Sequence, residues 1–82
     1  MEAGAAVPVK HTVAAELVGN VAQVAVVAGD TVGPTDTLVI LESMKMEIPV
    51  LAEVSGVIAE VAVAEGDVVT EGDTIAVIET QT

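Results

Sequence analysis

The sequence predicts an all-β domain of two small stacked sheets related by a pseudo-twofold axis, and three observations carry that prediction. Valine supplies 18 of the 82 residues and Phe, Tyr and Trp none, a composition that favours strands over helices. Residues 13–43 can be laid on residues 50–80 at a constant offset of 37 without a gap, and 14 of the 31 pairs are identical, among them Gly19/Gly56, Val24/Val61, Asp30/Asp67 and Glu42/Glu79. Within each copy apolar and polar residues alternate, with Gln23 set between Ala22 and Val24 and Glu60 between Ala59 and Val61, the period of a half-buried strand. Two similar half-domains follow, and two stacked sheets bury such a set better than one sheet could.

Taken in order, residues 1–8 read as a disordered tail of mostly small residues ending in Pro8, and residues 9–82 as the folded domain. His11 has no second histidine or carboxylate at ligand spacing, so it is expected on the surface or at a strand edge. Each half then runs Ala-Glu-x-x-Gly, Val-Ala-Val, Gly-Asp, and Asp-Thr before an apolar strand. Gly29-Asp30 and Gly66-Asp67 suit turns in which glycine takes positive φ and the aspartate bonds its own turn. Val21 and Ile58 stand an odd three residues before the inward-facing Val24 and Val61, which asks for a bulge soon after Gly19 and Gly56. Val26 and Val63, then Leu38, Ile40, Ile75 and Val77, are expected to complete two inner faces.

Length and composition restrict the function. A chain of 82 residues holds one domain with one small core. With no aromatic residue there is no stacking platform for bases, and a net charge of -11 repels phosphate backbones and anionic membranes while favouring a basic partner surface. Neither nucleic acid nor membrane is expected as a partner. With no cysteine there is no disulfide framework or thiolate metal site, and no metal ligand set is read elsewhere. The first residues lack a basic region followed by an apolar run, and no segment approaches a charge-free membrane span, so a cytoplasmic protein is the expectation.

One stretch does not follow from the repeat: Glu42-Ser43-Met44-Lys45-Met46-Glu47-Ile48-Pro49. Leu38-Val39-Ile40-Leu41 before it reads as a strand, and Ile48 and Val50 alternate with Glu47 and Pro49 after it, so Lys45 falls at a hairpin tip. Tight hairpin turns need positive φ and favour Asn-Gly or glycine-containing pairs; Met-Lys is a poor choice for a turn, and function is the better explanation. Shifting Lys45 by the repeat offset lands on Pro8 or Thr82, so the tip should project from the pole opposite the chain ends.

Met-Lys-Met, preceded by Glu42-Ser43 and followed by Glu47-Ile48-Pro49-Val50, resembles the attachment site of biotinyl carrier domains, usually Glu-Ala-Met-Lys-Met, with Ser43 in place of alanine. The resemblance to this biotinyl/lipoyl attachment family covers roughly residues 12 to 80. It implies a flattened barrel-sandwich, or hammerhead, of two four-stranded antiparallel sheets. It also implies biotin held covalently on Lys45 as an amide, with Met44 and Met46 as flanking recognition residues and Glu42 and Ser43 as part of the motif. The domain would then be a non-catalytic biotin carboxyl carrier, a swinging arm monomeric in isolation. Its implied partners are a biotin protein ligase, which joins biotin to Lys45 through biotinyl-adenylate, a biotin carboxylase using ATP and bicarbonate, and a carboxyltransferase. Two departures concern subfamily rather than the lysine. The Ala-Pro-Met-like segment of many carriers is Ala15-Glu16-Leu17-Val18 here, and the counterpart of Gly72 in the first half is Thr35, with Gly33-Pro34 as its expected compensation. The thumb insertion of some bacterial acetyl-CoA carboxylase carriers is missing.

An ordinary lysine is mostly protonated at neutral pH, so acylation relies on an enzyme to position and deprotonate the amine, while the domain holds it unhindered. The two methionines offer flexible apolar contacts to a ligase pocket or to the attached ring. Glu42 and Glu47 could be read as acid/base groups, but adjacent strand positions enclose no pocket that would tune a carboxylate. Two other readings stay open. A lipoyl carrier shares the fold and the lysine but usually flanks it as Asp-Lys-Ala, and an unmodified barrel-sandwich adaptor of the membrane-fusion type would leave Lys45 an ordinary surface lysine.

Overall fold

The computed structural model describes residues 8–81 and, among them, contains strands and turns without a helix. The strands are β1 (Pro8–Ala14), β2 (Gly19–Val24), β3 (Thr31–Val32), β4 (Thr37–Ser43), β5 (Met46–Leu51), β6 (Gly56–Val61), β7 (Val68–Val69) and β8 (Thr74–Gln81). They form two four-stranded sheets, β1-β8-β6-β3 and β5-β4-β2-β7, with each neighbouring pair antiparallel. Of the expected tail, residues 1–8, the first seven lie outside the described residues, and Pro8 belongs instead to the fold, pairing with Gln81 as the first residue of β1.

The repeat offset turns one sheet into the other: exchanging β1 with β5, β2 with β6, β3 with β7 and β4 with β8 converts the first strand order into the second. Each sheet therefore draws strands from both halves of the chain, and neither half has a core of its own. Backbone bonds that extend the strand pairs within each sheet repeat with the same symmetry. Ala15 N donates to Asp73 O at 2.8 Å and Ala52 N to Asp36 O at 2.9 Å; Val21 N donates to Asp67 O and Ile58 N to Asp30 O, both at 2.8 Å.

Four aspartates hold the turns. The Asp30, Asp36, Asp67 and Asp73 carboxylates each accept the backbone N–H of the residue three positions earlier, at 2.8–3.0 Å, satisfying donors that a loop would leave unpaired. Gly29 and Gly66, one residue before two of these aspartates, have φ of 99° and 92°. The expected compensation for Thr35 lies elsewhere: Gly72 takes φ 93° at the second-half turn, whereas at the first-half turn that carries Thr35 it is Glu53, from the second copy, that takes φ 68° and donates its N–H to Pro34 O at 2.8 Å.

The core lies between the sheets and is aliphatic, with Leu38, Val39, Ala52, Ile75, Ala76 and Ile78 fully buried and Leu41, Ile58 and Val21 nearly so. The expected bulges are present: Ala22 and Ala59 are the extra residues where pairing to β4 and β8 shifts register. A second pair of shifts, at Leu38 against β5 and at Ile75 against β1, was not anticipated. One added residue reverses side-chain parity, so Leu38 and Val39 both point inward, as do Ile75 and Ala76. Leu41 and Ile78 then hold the next inner positions, while Ile40 and Val77, expected inside, are half-buried opposite the exposed Gln23 and Glu60. Of the inward valines, Val26 is buried; Val24, Val61 and Val63 pack against the core from partly exposed positions.

Candidate functional site

β4 and β5 are joined by Met44 and Lys45 alone, since Ser43 pairs with Met46 and Glu42 with Glu47. A two-residue connection of this kind requires positive φ at both central residues to match the twist of the strands. Met44 has φ 52° and Lys45 φ 66°, the left-handed region that L side chains enter at a cost of roughly 1 kcal/mol or more each. The poor turn choice seen in the sequence is thus an actual backbone strain, held in place by the strands beneath.

Those strands supply a firm base. Leu41, 1% exposed, anchors β4 one residue before the motif, and β2 pairs with it from Asn20 and Val21. Gly19 closes the base from below: a Cβ at that position would stand 2.9 Å from the Glu42 carbonyl oxygen, so only glycine lets β2 begin this close to the hairpin. Pro49 is compatible with β5 because that strand is the edge of its sheet.

The exposed end carries the five residues singled out from the sequence. Lys45 is exposed, Met44 is 92% and Met46 60% exposed, and Ser43 is half-buried. Glu42 and Glu47 face each other directly on the outer surface of the sheet, in one row with Asn20 and Val68. That surface is open, which agrees with a surface role for the two carboxylates and with no pocket to tune them. A groove of about 390 Å³ between β1 and β5, lined among others by His11, Val13, Leu17, Leu41 and Ile48, stops short of the tip, and Lys45 is not in its wall. His11 is half-buried there, at the edge strand β1. Among the described residues no group of three or more His, Cys, Asp or Glu side chains could hold a metal ion, and no helix is long and apolar enough to cross a membrane.

The structure also shows what sequence reading missed. By the repeat, Glu42 and Glu47 correspond to Glu79 and Lys10, and those two face each other in the β1–β8 pair. The chain ends thus bring together opposite charges where the hairpin brings together like ones. The signal was present in the sequence, but it needed the hairpin's length to set the register.

An antiparallel barrel-sandwich that offers one lysine on a strained two-residue tip is the architecture of a covalent-attachment domain. The chain belongs to the biotin/lipoyl attachment family described as biotin-requiring enzyme, whose family model matches residues 7–78. Curated relatives include the biotinylated protein TB7.3 homolog of Mycolicibacterium smegmatis, 64% identical over 39 residues (48% of this chain, 55% of the relative), and that of Mycobacterium leprae, 62% identical over the same shares. The chain spans about half the length of the curated relatives it matches. Among solved structures, the urea carboxylase of Kluyveromyces lactis matches 85% of this chain with 33% identity and a TM-score of 0.81. A single-chain, multi-domain long-chain acyl-CoA carboxylase matches 89% with 34% identity and a TM-score of 0.80. The matched parts are 6% and 7% of those far longer chains.

Proposed function

We propose that this chain is a biotin carboxyl carrier, with biotin in amide linkage on Lys45, and that it catalyses no step itself. The observation that carries the reading is the strained, exposed Met44-Lys45 turn between Glu42-Ser43 and Met46, in a domain of a biotin-requiring family. In the attachment step a biotin protein ligase deprotonates the amine, and the Lys45 Nζ attacks the acyl carbon of biotinyl-adenylate, releasing AMP as the amide forms. The hairpin contributes presentation: the lysine stem starts from a backbone fixed by β4 and β5, with no wall around it. Once attached, biotin supplies the carboxyl-carrying chemistry, and the tether keeps it at high effective concentration near a biotin carboxylase and a carboxyltransferase. Likeness to two carboxylases supports those partners, and the relatives' names as biotinylated proteins favour biotin over lipoate. The net charge of -11 favours basic docking surfaces on the partners and opposes self-association, so the isolated chain is read as a monomer.

Co-expression with a biotin ligase and biotin, followed by intact-mass analysis, tests the assignment. One added biotin is expected, and none on Lys45→Arg. Modification at Lys10, or addition of lipoate in place of biotin, overturns the assignment, and a chain that takes neither group points to the unmodified adaptor.

A further inference from the structure

The chain has an unusual inventory of oxidisable side chains. It contains no Cys, Trp, Tyr or Phe, and three methionines. Met1 lies outside the described residues, so the sulfur atoms the structure describes are those of Met44 and Met46, on either side of Lys45. Both are open to solvent, Met44 at 92% and Met46 at 60%, whereas the other large exposed apolar residues of the described chain are valines and one leucine, which offer an oxidant nothing to attack. Thioether oxidation follows exposure. Among the described residues, a two-electron oxidant therefore finds its thioether targets beside the lysine.

We propose that Met44 and Met46 make attachment at Lys45 sensitive to peroxide: oxidation to the sulfoxide, at Met44 first, weakens ligase engagement of the hairpin, and reduction restores it. The inference rests on the biotinylation reading. Hydrogen peroxide transfers one oxygen to the thioether sulfur, giving the sulfoxide and water, so sulfur loses two electrons and the peroxide gains them. A dithiol-dependent methionine sulfoxide reductase reverses the step, returning the thioether and water as the dithiol becomes a disulfide; each sulfoxide epimer needs its own reductase.

The sulfoxide changes recognition rather than folding. Both side chains stand outside the core, and the Ser43–Met46 pairing uses backbone groups that sulfur chemistry leaves intact. A flexible apolar contact becomes a fixed dipole with a strong acceptor oxygen. Glu42 and Glu47, on the strands that carry this turn, already supply acceptors, so the new oxygen adds another acceptor beside them. Burying it against a pocket shaped for a thioether leaves it unpaired, which lowers ligase kcat/KM by roughly fivefold or more, mainly through KM.

The test treats the unmodified full chain with hydrogen peroxide, maps the sulfoxides by peptide mass spectrometry, and follows biotin addition by the ligase. Met44 should oxidise before Met46, the rate should fall as Met44 sulfoxide accumulates, the thermal melt should stay in place, and the two reductases with a dithiol should return the rate. For Met44→Leu, Met46→Leu and the double variant the readout is the treated-to-untreated ratio within each protein, which should reach one in the double variant whatever its own rate. Equal rates for oxidised and reduced parent protein, or the same loss in the double variant, overturn the inference and leave the biotin assignment standing. Failure of the reduced parent to take biotin at Lys45 removes both.

Discussion

The lysine hairpin and the strand pair that joins the two chain ends are the same piece of the repeat, built once as β4–β5 and once as β8–β1. At the chain ends Glu79 faces Lys10, and Thr80 Oγ1 donates to the Val9 carbonyl at 3.3 Å. At the hairpin Glu42 faces Glu47, two non-glycine residues hold positive φ, and two large apolar side chains stand in water. The scaffold beneath is alike in both, with Leu41 and Ile78 buried at 1% and 0% exposure and a close-approach glycine under each pair. The fold therefore does not require the hairpin's chemistry, because the same register accepts a more stabilising set 37 residues away. On the proposed function, what separates the two poles is the attachment carried by one of them.

Substitutions made in parallel at the two poles should separate what they share from what they do not. Leu41→Ala and Ile78→Ala empty equivalent core positions, and each should cost about 2–5 kcal/mol in denaturant melts; a loss at only one would mean that the poles do not share a scaffold. Next in size, Gly56→Ala places a Cβ 2.5 Å from the Glu79 carbonyl oxygen and 2.8 Å from Ile78 Cγ2, against 2.9 Å from the Glu42 carbonyl oxygen for Gly19→Ala. The first should cost about 3 kcal/mol and the second about 1–2 kcal/mol. Yet only Gly19→Ala should slow biotin addition in the temperature range where both stay folded, because only there does the displaced carbonyl belong to the motif. The smallest effect is electrostatic: Glu47→Lys copies the chain-end pair into the hairpin and should add about 0.5 kcal/mol or less, fading in high salt, since both side chains are exposed. A gain that ignores salt would locate the cause outside the charge pair.

Much of this was legible in the sequence because it repeats. The constant offset announced two similar halves, though not that each sheet would take strands from both, and the odd step from Val21 to Val24 and from Ile58 to Val61 announced the bulges soon after Gly19 and Gly56. The bulges at Leu38 and Ile75 left no such mark, because Leu-Val-Ile-Leu and Ile-Ala-Val-Ile are apolar at every position and show no parity to break. A plain alternation through these runs consequently puts Ile40 and Val77 inside and leaves out Leu41 and Ile78. The positive φ of Glu53 was hidden for a related reason: Glu16 and Glu53 are identical in sequence, and the difference between them comes from Gly72 standing where the first half has Thr35. At the site the position of Lys45 was readable because Met-Lys contradicts turn chemistry; the facing of Glu42 and Glu47 was not, because register depends on the number of residues in the turn.

On the proposed function the lysine turn is shaped for modification at the expense of local stability, and putting in its place the pair that turn chemistry prefers should reverse both. Met44→Asn with Lys45→Gly installs Asn-Gly at the two positive-φ positions without touching the strands. In a denaturant melt with the ligase assay run alongside, the double variant should gain about 1–2 kcal/mol, from relief of backbone strain, and accept no biotin. A double variant less stable than the parent, or one that still takes biotin, would contradict the account.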